Sequence, residues 1–249
     1  MTDHPLRVLV LGGAEGIGAA GVRALVAGGQ RVAVADRAAI GGELGAAVAL
    51  SCDANETESV AATVDAAADA LGGLDAAWYH AGVQHLGTVE QLSMDDLDAC
   101  YRLHIRSPIA FARAAVPHLR AAGGGSLLFT ASGAGLVVDR GAVPYATTKS
   151  ALVTLARLIA LVHAPDRIRV NALCPGWVDT PFNAPAYEQL GGYQRFLDQV
   201  PELIPIGRVA GPDEIGRLAA WLLVAPEASY ITGQAIVADG GDTLRYGVR

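Results

Sequence analysis

Charge is scarce in this chain. Only 17% of its 249 residues are Asp, Glu, Lys or Arg, and aromatic residues make up 6%. Basic residues are the fewer, 18 against 25 acids, which leaves a net charge of −7 and no cluster of Lys and Arg. A nucleic-acid surface needs such clusters to neutralise phosphates, so no nucleic-acid partner is expected. Cysteine is equally sparse: Cys52, Cys100 and Cys174 are odd in number and far apart. That pattern excludes a disulfide framework and suggests no zinc site, so no metal is expected and the three thiols read as small buried apolar groups. Long uncharged apolar runs are missing too. The best, residues 151–163, is interrupted by Arg157, and residues 1–13 are too short and wrongly ordered for a signal peptide. No membrane span is expected, and a cytoplasmic protein is the default reading.

What is present is aliphatic. Apolar residues make up 52% of the chain, enough for a substantial core of Ala, Val and Leu such as strands covered on both faces require. Short apolar runs at 7–11, 31–35, 48–50, 75–79, 127–130, 169–173 and 235–237 read as strands. Helical patterns at 16–27, 56–71, 93–120, 145–163 and 212–223 separate them. This alternation predicts an α/β fold, a Rossmann-like doubly wound parallel sheet of seven strands with helices on both faces, in a single domain over residues 1–249. Pro212 followed by Asp213 and Glu214 marks one helix start, and Ser93 with Asp96 another. Residues 182–203, rich in Pro, Gly and aromatics, interrupt the alternation just after a strand end. They read as a substrate lid, or as an ordinary helical hairpin on the surface.

Gly12, Gly16 and Gly18 directly follow the first strand and open the first helix. Glycines there let the backbone approach a pyrophosphate, whose charge suits a helix N-terminus. Asp36 ends the second strand, 18 residues after Gly18. An acid at that place accepts hydrogen bonds from ribose hydroxyls and repels the 2′-phosphate of NADP, so NAD is expected ahead of NADP. Arg37 pulls the other way, since an arginine there is able to hold that phosphate. Tyr145 and Lys149 stand four apart and share a helix face. An ammonium beside a phenol lowers its pKa toward a value useful for acid–base work, and Ser132 ends the preceding strand at the same edge.

With these motifs in order, the chain resembles the short branch of the short-chain dehydrogenase/reductase family over essentially its whole length. Ser132 lies thirteen residues before Tyr145, as in that family. The segment from Asn171 to Thr180, the run from Pro205 to Arg208 and the terminal Asp239-Gly240-Gly241 are similar as well. The resemblance implies roles. Tyr145 is the general acid or base, Lys149 holds the nicotinamide ribose and depresses the tyrosine pKa, and Ser132 bonds the reacting oxygen. Asp53 contacts the adenine amino group, Thr180 and the Val178 backbone anchor the carboxamide, and Ile17, Ala81, Gly82, Pro175 and Gly176 run along the cofactor. A homotetramer is implied too. Two departures stand out: Tyr79-His80 replaces a pair of asparagines, and His104 replaces the asparagine of a water-mediated proton relay. His104 is a candidate to take over that relay, since histidine titrates near neutrality; the alternative is a packed histidine. His80 reads as structural.

The stretch from Ala81 through Gln84 to His85 also resembles 3-hydroxybutyrate dehydrogenases, where a glutamine helps to bind the substrate carboxylate. Those enzymes carry a lysine where this chain has Ala142, and Arg140 is the available substitute. A carboxylate without a cation is poorly compensated in a dry pocket, so an uncharged secondary alcohol and its ketone are expected ahead of a 3-hydroxy acid. Gln84, Trp177 and Phe182 are the substrate candidates, with Tyr187, Tyr193 and Phe196 in the lid. Two other readings compete: a catalytically silent NAD(H)-binding redox sensor, and a sugar-nucleotide epimerase, suggested by Gly13, Gly16 and Ala19. The second needs a C-terminal substrate domain for which the final strand leaves no room.

Overall fold

The computed structural model describes residues 4–138 and 141–245. Seven strands, β1 (Arg7–Leu11), β2 (Arg31–Asp36), β3 (Val48–Ser51), β4 (Ala76–Tyr79), β5 (Gly125–Thr130), β6 (Ile168–Pro175) and β7 (Ala235–Ala238), form one parallel sheet in the order β3-β2-β1-β4-β5-β6-β7. The chain moves outward from β1 to β3 and returns to the other side of β1 at β4, so the connections from β1 to β2 and from β3 to β4 put their helices on opposite faces.

Successive strand residues point to opposite faces, and here both faces are dry. Leu9, Leu11, Ala33 and Ala35 pack in the larger core beneath α2 (Thr57–Leu71), α4 (Ser107–Ala121) and α5 (Val143–His163). Val8, Val10, Val32 and Val34 pack in the other, beneath α1 (Gly16–Ala27) and α8 (Pro212–Val224). The central strands therefore read as unbroken apolar runs rather than alternating ones. All three cysteines are buried and unpaired. The apolar α5 is long enough by composition to cross a bilayer, but its Leu152, Val153, Ala156 and Ala160 belong to the larger core.

The structure departs from the sequence expectation in the helix after β4, and of the two readings for residues 182–203 it takes the helical hairpin. The helix expected as one piece over 93–120 is divided into α3 (Met94–Tyr101), a π-helical turn at Arg102–Arg106, and α4. Pro108 has no N–H to offer the carbonyl four residues back, which is that of His104, so the α-helical ladder opens by one residue there. Residues 182–203 fold as two short helices, α6 (Ala184–Gln189) and α7 (Tyr193–Leu203). Tyr187, Phe196, Val200 and Ile204 form a small separate core with Trp177 packed on it. Both helix starts marked in the sequence are capped. Ser93 Oγ accepts the Asp96 N–H at 3.1 Å, and Glu214 accepts the Gly211 N–H at 2.9 Å.

Candidate active site

The carboxyl ends of the strands open into one cleft of about 1340 Å³. That exceeds the roughly 300–1,000 Å³ of an ordinary small-molecule pocket and suits a dinucleotide together with a second, smaller molecule. At its floor, β1 runs into the glycine turn. Gly12 has φ +88°, and a Cβ there would lie 2.6 Å from the Ala81 nitrogen. At Gly18 a Cβ would lie 2.1 Å from the Gly12 carbonyl oxygen. Positions 12 and 18 are thus closed to any side chain, and Gly12 and Gly16 line the cleft. No side chain caps α1 at Glu15, so the first N–H groups of that helix are left for an anion. These features fit a nucleotide pyrophosphate.

Asp36 stands at the rim. One carboxylate oxygen accepts the Ala14 N–H and the other the Ala38 N–H, both at 3.0 Å. Those two bonds fix its orientation and leave lone pairs for ribose hydroxyls. Arg37 is exposed beside it. Asp53 is held by the Asn55 backbone and amide N–H groups, both at 2.9 Å, which keep its carboxyl below the usual range.

Tyr145 enters from the first turn of α5 and is 7% exposed; Lys149, one turn on, is 2% exposed. The lysine Nζ lies 5.6 Å from the tyrosine ring centroid and donates to the Thr130 carbonyl at 2.8 Å. Ser132, just past β5, accepts the Ala134 N–H at 3.2 Å, leaving its own O–H to give. The pKa lowering expected for Tyr145 is not what the protein by itself produces. Burial pushes the phenol up to about 12, with the Ser132 hydroxyl pulling weakly the other way. Burial also draws Lys149 down to about 8. Desolvation outweighs the lysine because its ammonium is turned onto a carbonyl rather than onto the phenol oxygen.

His104 lies within the π turn and is fully buried. Its Nδ1 is 2.8 Å from Thr148 Oγ1, which already donates to the Pro144 carbonyl at 2.8 Å. The hydroxyl proton is thus committed, so Nδ1–H is the donor, and Nε2 accepts the Val83 N–H at 3.3 Å. Both nitrogens are engaged. Burial, then the charge of Lys149, hold the ring far below its ordinary pKa. His80 sits under the glycine turn with Nδ1 2.9 Å from Thr130 Oγ1, which also accepts the Trp78 indole N–H at 2.8 Å. It too is neutral, at about 4, through burial and Lys149.

Of the described residues expected at the site, all line this cleft but Gly18, His104 and the lid aromatics Tyr187, Tyr193 and Phe196. Gly18 packs behind the turn, and His104 behind Gly82, where a Cβ would meet its Nε2 at 3.2 Å. The hairpin of α6 and α7 closes one side. The Phe182 ring lies 6.2 Å from that of Tyr145, while Trp177 packs at 4.6 Å on Phe196 and at 6.1 Å on Tyr187. Arg140, the substitute cation, lies outside the described residues. Sequence reasoning missed Thr130 and Thr148, which hold Lys149 and His104. Neither belongs to a motif; only their neighbours across the fold give them a role.

Comparison with known proteins agrees with this geometry. A family model described as enoyl-(acyl carrier protein) reductase, of the short-chain dehydrogenase/reductase group, matches residues 12–243. A D-threitol dehydrogenase of Mycolicibacterium smegmatis is 33% identical over 246 residues, covering 95% of this chain and 92% of its own. A solved variant of a short-chain dehydrogenase/reductase of Serratia marcescens superposes with a TM-score of 0.84 at 33% identity, covering 96% and 100%. The L-sorbose reductase of Gluconobacter frateurii, solved with NADPH and L-sorbose, superposes at 0.86 with 26% identity and 95% coverage of each chain. Sheet order, glycine turn and sequence together make this chain a member of the short-chain dehydrogenase/reductase family of oxidoreductases.

Proposed function

We propose that the protein is an NAD(H)-dependent oxidoreductase that interconverts a secondary alcohol and its ketone. The observation that carries this reading is the convergence of Tyr145, Lys149 and Ser132 on the cleft that also holds the glycine turn and Asp36. The glycine turn and the start of α1 would hold the pyrophosphate, Asp36 the adenosine ribose, and Pro175 to Thr180 the carboxamide. When bound, the nicotinamide accepts or gives the hydride. In the reducing direction Tyr145 gives its phenolic proton to the carbonyl oxygen while the Ser132 O–H bonds the same atom. In the oxidising direction the same phenol oxygen takes the hydroxyl proton. The reaction balances as alcohol plus NAD⁺ giving ketone, NADH and a proton. Lys149 places positive charge beside the ring and, with a donor not given to Thr130, would hold the nicotinamide ribose. An alcohol or polyol substrate accords with the D-threitol dehydrogenase among the relatives.

The test is a fluorescence titration with NADH and NADPH, followed by a screen of secondary alcohols with the preferred cofactor. NADH is expected to bind about tenfold tighter or better, because the Asp36 carboxylate repels a 2′-phosphate. Asp36→Ser is expected to narrow that gap. Preference for NADPH in the unmodified protein would assign the rim to Arg37 and point to a ketoreductase. Binding of neither would overturn the NAD(H)-dependent reading and the NAD(H)-binding sensor with it, whereas binding without turnover of any alcohol would favour the sensor.

His104 acts in this scheme as a positioning residue that ties Val83 to the start of α5, rather than as a proton carrier. His104→Asn is therefore expected to keep the shape of the pH–rate profile of the wild type. Loss of one limb of that profile would restore the histidine to the relay.

A further inference from the structure

Past β4 the chain runs from Gly82 to Gly87 alongside the entry to α5. The Gly87 N–H donates to the Gly141 carbonyl at 2.6 Å, and the Val143 N–H donates to the Gly87 carbonyl at 3.2 Å. The Val83 N–H is fixed on His104. This strapping fixes the backbone on both sides of Gln84. Gln84 lines the cleft, yet its Oε1 is shielded from solvent and has no hydrogen-bond partner among the described residues. A shielded acceptor without a donor is unfavourable, and a ligand that brings the donor removes the penalty.

The surroundings narrow the donor's chemistry. Leu86, Val137, Ala142, Phe182 and Leu190 are among the apolar residues that line the cleft, and Gln189 and Gln199 add neutral amides to it. The charged groups along the cleft are placed for other work. Glu15, Asp36, Arg37 and Asp53 stand at or just beyond the ends of β1 to β3, Asp242 is on the turn beyond β7, and Lys149 is bonded to Thr130. Among the described residues no cation faces Gln84, so a substrate carboxylate finds no partner there. A hydroxyl differs from both a carboxylate and an ammonium in that it donates and accepts, so it satisfies either end of the amide.

We infer that the substrate carries a second hydroxyl besides the one oxidised, a neutral diol, polyol or hydroxyketone, and that this hydroxyl donates to Gln84 Oε1. The inference rests on the alcohol–ketone reading above and deepens it. Gln84 is then the residue that separates diols from simple alcohols and from hydroxy acids.

The test compares matched compounds: 2-butanol with 2,3- and 1,3-butanediol, and cyclohexanol with 1,2- and 1,4-cyclohexanediol, alongside 3-hydroxybutyrate. Wild type is expected to favour the best diol over its mono-alcohol by about tenfold or more in kcat/KM. Gln84→Leu is expected to bring that ratio to within about threefold while still binding NADH. Equal use of mono-alcohols, a ratio that survives Gln84→Leu, or a preference for 3-hydroxybutyrate would overturn the inference. A second readout separates it from the reaction itself. Calorimetry with NAD-saturated Tyr145→Phe and Tyr145→Phe/Gln84→Leu measures binding without turnover. A diol that binds no tighter than its mono-alcohol when Gln84 is present overturns the inference alone. Failure of wild type to oxidise any alcohol overturns only the alcohol–ketone reading.

Discussion

Tyr145→Phe is expected to lower kcat by about 10²–10⁴-fold while leaving NADH affinity nearly unchanged. The substitution keeps the ring in its place, edge-on to His104 at 5.6 Å and near Phe182 at 6.2 Å, and removes one oxygen. No cavity opens, so the loss reports the proton and not the packing. The direction of the pH dependence also follows. With its pKa raised to about 12 by burial, the phenol carries its proton at neutral pH in the protein alone. Ketone reduction, which consumes that proton, is then expected to be flat through neutrality. Alcohol oxidation, which needs the phenol ionised, is expected to rise with pH. Steady-state rates in both directions from pH 6 to 10 check this. A variant that keeps more than about a tenth of the activity would remove Tyr145 from the chemistry.

Lys149→Met is expected to abolish turnover and to make the protein more stable. The ammonium is 2% exposed, and burial lowers its pKa from 10.5 to about 8. That displacement corresponds to ~3 kcal/mol of penalty for keeping the group charged in the fold. Methionine fills a similar volume without charge but forfeits the charge-assisted bond to the Thr130 carbonyl, worth about 1.5–3 kcal/mol. The charge term is the larger, so a net gain of up to about 1 kcal/mol is expected. Because the folded pKa lies below the unfolded one, the penalty is complete below pH 8 and fades as pH climbs toward 10.5. The variant's advantage is therefore expected to shrink over that window. Urea midpoints of both proteins at pH 7 and pH 10 measure it. An advantage that is absent at pH 7, or that grows with pH, would contradict the desolvation argument. Lys149 is also the only lysine in the chain, so ¹³C reductive methylation places a single side-chain signal on it and its pKa can be followed directly.

Much of the fold was legible because it rests on local pattern. Residues 7–11 and 16–27 match β1 and α1 at both ends. There a buried strand, a glycine turn and a helix start succeed one another without long-range help. Boundaries shifted where a partner extends the element: β6 continues to Pro175 because Cys174 and Pro175 pair with Val237 and Ala238 on β7. The break at Arg102–Arg106 was written in Pro108 but is hidden in a strongly helical stretch. The paired helices of residues 184–203 carry aromatics that fit lid and hairpin equally well by sequence.

The site divides in the same way. Glycines, a strand-end acid and a Tyr–Lys pair at helical spacing are local signals, and the sequence by itself determined the family, the doubly wound sheet and most of the expected residues that line the cleft. The rest depends on residues far apart in the chain. Thr130 and Lys149 are 19 residues apart and His104 and Thr148 are 44 apart, and no spacing rule joins them. Which groups bond the two ring nitrogens of His104, whether burial acidifies Tyr145 or pushes it up, and whether Gln84 lacks a donor are matters of burial and orientation. Only the packed tertiary structure decided them, because desolvation and hydrogen-bond geometry arise once the strands and helices have excluded water.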